Sequence, residues 1–152
     1  MSNSDYKEFQ FGWLLFIIVL PIYLVLTILF VFNIGDNPLN REEFFIVTGI
    51  FLLVFLLFYG MTTKIGKNWI TISYGIGLIQ KRIAIDRIKE LHTVKTAAIY
   101  GWGIRIIPNG VLFNISGSDA LELSFKDTKR IIRIGTKDPK KLRNEIIKSM
   151  DA

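Results

Sequence analysis

The sequence predicts a membrane-anchored α+β protein. A helical hairpin with two transmembrane helices is followed by a small domain of about seven short antiparallel strands, closed by one C-terminal helix. Three observations predict it. Two uncharged apolar runs, Phe11–Phe32 and Phe44–Met61, dominate the first 63 residues. Formal charge is split: before Lys64 two bases stand against five acids, −3, and from Lys64 onward 17 bases stand against 8 acids, +9. From Trp69 the chain turns into short stretches rich in Ile, Val, Leu and aromatics, punctuated by Gly, Asn, Ser and Asp.

The first run spans about 33 Å as a helix, against a hydrocarbon core of about 30 Å. The second is near the short end of the spanning range. Neither shows an amphipathic stripe. The leader MSNSDYKEFQ has one Lys against two acids, and no small-residue cleavage site follows the run, so an uncleaved helix is expected instead of a signal peptide. Pro21 removes a backbone donor and crowds the carbonyl of Ile17, so a tolerated kink is expected. Neither run holds an ionisable residue at depth, which favours an anchor over a transport path. Between them, Asn37-Pro38 signals a turn, and Asn40 with Glu43 has the spacing of a capping box.

The boundaries expected are a cytoplasmic tail 1–10, transmembrane helix 11–32, an external loop 33–43, transmembrane helix 44–63 and a cytoplasmic domain 64–152. The loop holds one base, Arg41, whereas Lys64, Lys67, Lys81, Arg82 and Arg87 follow the second run, so both termini are expected in the cytoplasm. The chain has no cysteine, which excludes disulfides and thiolate metal sites.

Strands are expected at Trp69–Ser73, Leu78–Ile83, Leu91–Val94 (after a bend), Trp102–Ile107, Val111–Ile115, Leu121–Phe125 and Arg130–Ile134. They read as an antiparallel meander, with Pro108-Asn109-Gly110 as the strongest turn signal. Asp138 is a good helix N-cap and Pro139 suits the first helical position. Leu142, Ile146 and Met150, with Ile147 beside them, form one apolar stripe.

The stretches Gly101-Trp102-Gly103-Ile104-Arg105, Gly110, Asn114-Ile115-Ser116-Gly117, Ala120-Leu121-Glu122-Leu123 and Ile134-Gly135-Thr136, followed by Asp138-Pro139 and Leu142, resemble small bacterial membrane proteins carrying a pleckstrin-homology-like domain. The resemblance covers most of residues 69–150 and the helices in front. It implies two near-orthogonal antiparallel sheets capped by a C-terminal helix, and a bacterial cytoplasmic membrane. It informs fold more than function.

Gly101, Trp102, Gly103, Gly117, Gly135, Asp138 and Pro139 are expected to serve bends, packing and capping. His92 has no second His and no Cys, so no metal is expected, and no cofactor motif is present. Without a nucleophile elbow, P-loop or other catalytic signature, a non-enzymatic protein is expected. Lys64, Lys67, Lys81, Arg82 and Arg87 are the candidates for contact with the membrane surface or lipid headgroups. The turn Tyr74-Gly75-Ile76-Gly77 holds no base, which argues against specific inositol-lipid recognition of the pleckstrin-homology kind. The bases alternate with acids, which argues against nucleic acid. The function expected is a protein-interaction or self-assembly module at the inner face of the membrane. The alternatives are an anionic-lipid sensor, or an accessory subunit of a larger membrane enzyme or transporter.

Overall fold

The apolar runs fold as two helices, α1 (Trp13–Val31) and α2 (Arg41–Phe58), in a computed structural model that describes residues 6–96 and 103–151. The capping box forms: the Glu43 amide donates to Asn40 Oδ1 at 2.9 Å, and the Asn40 amide donates to Glu43 Oε2 at 3.0 Å. The helices pack antiparallel through aromatic pairs, Phe16–Phe55 at 5.0 Å, Tyr23–Phe51 at 5.2 Å and Phe30–Phe44 at 4.1 Å between ring centroids. Tyr23 and Thr48 hydroxyls meet at 3.2 Å, and Thr27 Oγ1 donates to the Tyr23 carbonyl at 2.9 Å. No residue of either helix is buried. By length and composition α1 can cross a membrane. In α2 the first turn carries Arg41, Glu42 and Glu43, which leaves residues 44–58, about 22 Å of uncharged helix.

Two sequence boundaries are corrected. The second helix stops at Phe58, not at residue 63, and Gly60–Ile65 forms a strand, β2. Residues 6–10 are not a tail: Tyr6–Phe11 forms β1, paired antiparallel with β2 from Tyr6↔Ile65 to Phe11↔Gly60. The helical hairpin is therefore an insertion between two neighbouring strands. Gly12 closes the junction, its amide donating to the Tyr59 carbonyl at 2.9 Å.

β1 and β2 continue into β3 (Trp69–Tyr74) and β4 (Ile79–Ala84), giving a four-stranded antiparallel sheet in the order β1-β2-β3-β4. Its register defines two ends. Phe11, Gly60, Tyr74 and Ile79 lie at the end next to the helices, and Tyr6, Ile65, Trp69 and Ala84 lie at the far end. After a 3-10 turn at Ile85–Arg87, a second sheet comprises β5 (Ile88–Lys95), β6 (Gly103–Ile107), β7 (Gly110–Asn114), β8 (Asp119–Phe125) and β9 (Ile131–Gly135).

The seven expected strands are all present, with β1 and β2 in addition. The meander is not: the order is β5-β8-β9-β7-β6, and β9 lies parallel to β7. Gly110 explains how β9 slots in. A Cβ there would sit 1.9 Å from the Ile131 carbonyl oxygen, so only a glycine admits the neighbouring backbone.

One core joins both sheets and the final helix. Ile70, Ile72 and Tyr74 meet Leu121, Leu123 and Ile134, with Leu142 and Ile146 closing the cluster. The last two belong to α3 (Pro139–Met150), which starts as expected: Asp138 caps the Lys141 amide at 2.9 Å and Pro139 begins the first turn. The stripe differs at its end. Ser149 is buried and Met150 is exposed, because the buried face follows positions 142, 146 and 149.

Candidate functional site

The basic residues that follow the second helix in sequence do not remain beside it. Lys64 is the fifth residue of β2, about 13 Å along the strand from Gly60. Lys67 lies in the turn to β3 at the far end of the sheet. Strand direction, not sequence distance, decides how far a side chain sits from the helices.

Lys81 and Arg82 are exposed on β4, and Arg87 ends the 3-10 turn. These three and Arg130 line a cleft of about 300 Å³ between the far end of the first sheet, at its β4 edge, and the second sheet. Its apolar lining includes Trp69, Val111, Phe113, Phe125 and Ile132. Lys64 and Lys67 do not line it. The sequence reading missed Arg130, which comes from the β8–β9 connection. Its only signal was the base-rich turn Lys126–Arg130.

The cleft wall is fixed by bonds between the two sheets. Arg87 forms an ion pair with Asp127. The Lys126 amide donates to the Arg87 carbonyl at 3.0 Å, and Lys126 Nζ donates to the Asp86 carbonyl at 2.8 Å. Lys81, Arg82 and Arg130 make no ion pair among the described residues. Trp69 is 51% exposed at the rim. The cleft thus offers free cationic donors around an apolar floor, the chemistry that retains an anion attached to an apolar group.

The glycines and the cap have local roles. Gly103 opens β6 with φ 90°, and its carbonyl accepts from Tyr74 Oη at 3.3 Å. The Gly117 carbonyl accepts from Asn114 Nδ2 at 3.0 Å. Gly135 lies so close to Asn114 that a Cβ would meet its Oδ1 at 2.2 Å. Gly101 and Trp102 lie outside the described residues.

His92 is exposed on β5, 3.2 Å from Glu90 Oε2. The hydrogen bond from His92, then the charge of Lys89, holds the Glu90 carboxyl below its ordinary range. Among the described residues no group of three His, Cys, Asp or Glu is placed to hold a metal.

A second cluster ties the start of the chain to its end. Glu8 Oε2 accepts from Tyr6 Oη and from Thr136 Oγ1, both at 2.7 Å, and Glu8 Oε1 accepts from the Lys137 amide at 2.8 Å. Gln10 is buried and donates to the Gly135 carbonyl at 2.7 Å. Burial, then the Glu8 carboxylate, raises the Tyr6 phenol well above its ordinary value. This clasp fastens β1, which leads straight into α1, to the link between β9 and α3.

No family model matches the chain, and no curated protein or solved structure shows significant similarity to it.

Proposed function

We propose that this chain is a non-enzymatic, membrane-anchored interaction module whose pleckstrin-homology-like domain holds an acidic, partly apolar segment of a protein partner in the Lys81–Arg82–Arg130 cleft. The observation that carries this reading is the cleft itself: unpaired cations around an apolar floor. Its place favours a partner arriving from water over a lipid headgroup. It opens at the end of the first sheet opposite the helices, whereas a headgroup contact calls for bases at the helix end.

The membrane part of the reading is supported by helices that hold no buried residue and that expose large apolar side chains over the faces not packed on each other. β1 and β2 pair directly, so the segments outside the hairpin lie on one side of any bilayer it crosses. The charge split favours the cytoplasmic face of a bacterial inner membrane for that side.

Trp69 at the rim is a built-in reporter. The full chain, with Trp13 and Trp102 replaced by Phe and held in neutral nanodiscs, is titrated with a peptide alternating Glu with Leu and Phe. A saturable blue shift that R82E/R130E abolishes supports the reading. Absence of any shift at low salt overturns it. A shift given by anionic-lipid vesicles but not by the peptide replaces it with the lipid-sensor reading.

A further inference from the structure

The β3–β4 turn, Tyr74-Gly75-Ile76-Gly77-Leu78, is unusual for a hairpin connection because no residue from 75 to 78 has a polar side chain. It is also bound to a helix instead of projecting into open space. The Ile76 amide donates to the Leu56 carbonyl at 3.1 Å, one of the last carbonyls of α2. Gly75 makes this approach possible: its φ is 51°, and a Cβ there would lie 2.0 Å from the Leu56 oxygen. Leu56 precedes the last residue of α2 by two positions, so Ile76 sits about 3 Å up the helix from its end. Two large apolar side chains are displayed at this level, Ile76 at 56% and Leu78 at 72% exposure. Trp13 at the start of α1 is 66% exposed.

From this geometry we infer that the β3–β4 turn enters the apolar edge of the bilayer, as a third membrane contact beside the two helices. The inference rests on the proposed membrane reading of the hairpin. Two observations point to lipid as the occupant.

First, three successive amides of the turn, those of Gly75, Ile76 and Gly77, find partners within the protein, which lowers the cost that apolar surroundings impose on a backbone. The Gly75 amide donates to the Gly60 carbonyl at 2.8 Å, Ile76 to Leu56, and Gly77 to the Tyr74 carbonyl at 2.8 Å. The Gly77 carbonyl in turn accepts from Gln80 Nε2 at 2.7 Å.

Second, the turn adds apolar surface where the anchor is short. The uncharged part of α2, about 22 Å, falls short of a hydrocarbon core of about 30 Å, and a bilayer that thins around a short helix brings its apolar edge toward the groups at the helix base. Ile76 and Leu78 supply apolar surface at that base. With two helices alone the domain could pivot about their ends. A third contact offset from them sets its tilt on the membrane surface, and with it the direction in which the cleft opens.

The chain has no cysteine, so single cysteines can be introduced without background. The full chain carrying Leu78→Cys, Ile76→Cys, Leu24→Cys or Thr128→Cys is spin-labelled in vesicles of neutral and anionic phospholipid. Collision rates are then measured with oxygen, which concentrates in lipid, and with a water-soluble nickel chelate. The expected order of the oxygen-to-nickel ratio is Leu24 highest, Leu78 and Ile76 several-fold above Thr128, and Thr128 lowest. Labels at 76 and 78 matching Thr128, with Leu24 still oxygen-rich, would place the turn in water and overturn the inference while leaving the hairpin reading intact. An aqueous signal at Leu24 would remove the membrane reading, and this inference with it.

Discussion

Replacing Glu8 with Ala should weaken the tie between β1 and the β9–α3 link without unfolding the domain. The carboxylate receives three hydrogen bonds, from Tyr6, Thr136 and the Lys137 amide. Bonds to a charged acceptor contribute roughly 1.5–3 kcal/mol each, but three that share one half-buried carboxylate do not add. Solvent also reaches the freed hydroxyls, so a net loss of about 2–3 kcal/mol is expected. That loss falls on the docking of β1 to the β9–α3 link. Gln10 still holds Gly135, and the β1–β2 ladder remains. At about 1.4 kcal/mol per tenfold, amide exchange in residues 7–10 should accelerate by roughly 30- to 150-fold. Hydrogen–deuterium exchange of the full chain in nanodiscs reads this peptide by peptide. Glu8→Gln, which keeps one acceptor oxygen, should give a smaller acceleration. The reasoning is refuted if exchange in β1 changes by less than about threefold, below roughly 0.7 kcal/mol, or if α3 accelerates as much as β1.

Three further outcomes follow from the packing. Gly110→Ala forces a Cβ onto the Ile131 carbonyl and should separate β7 from β9, seen as lost long-range amide contacts between residues 110–113 and 131–134 in NMR spectra. Leu142→Ala empties a fully buried position and should lower stability by about 2–5 kcal/mol in denaturant titration. The Tyr6 and Tyr74 phenols are both raised above their ordinary value near 10.0, mainly by burial, so each binds its proton more tightly folded than unfolded. Their contribution to stability is therefore complete below pH 10 and is lost as pH climbs through their folded values. Stability should fall above pH 10, and less so in Tyr74→Phe.

What could be read from the chain depended on whether burial and alternation coincide. Trp69–Tyr74 alternates Ile70, Ile72 and Tyr74 inward, and its strand is visible at once. β1 is not, because two of its three inward residues, Glu8 and Gln10, are polar, and the bonds that fix them to the domain reach Gly135, Thr136 and Lys137, more than a hundred positions away in sequence. β2 is hidden for another reason: Gly60 and Met61 continue the apolar run of α2, so composition alone sees no boundary. The α3 cap and first turn were legible because Asp138 and Pro139 act on near neighbours. The insertion of β9 between β8 and β7 was not, since strand adjacency follows from a close approach at Gly110 rather than from local pattern. The cleft shows the same limit. Lys81, Arg82 and Arg87 were visible as bases, but their separation from Lys64 and Lys67, and their meeting with Arg130, arise only when strands turn.

The placement of the helical hairpin between β1 and β2 also decides how the domain can be isolated. A cut just after α2 discards β1, an edge strand of the first sheet, together with the Glu8 clasp, and leaves β2 as a bare edge open to aggregation. The paired ends Phe11 and Gly60 face each other across one ladder rung. A two-residue Asn-Gly connection can therefore replace both helices. Such an excision removes both apolar helices and keeps every strand, the clasp and the cleft.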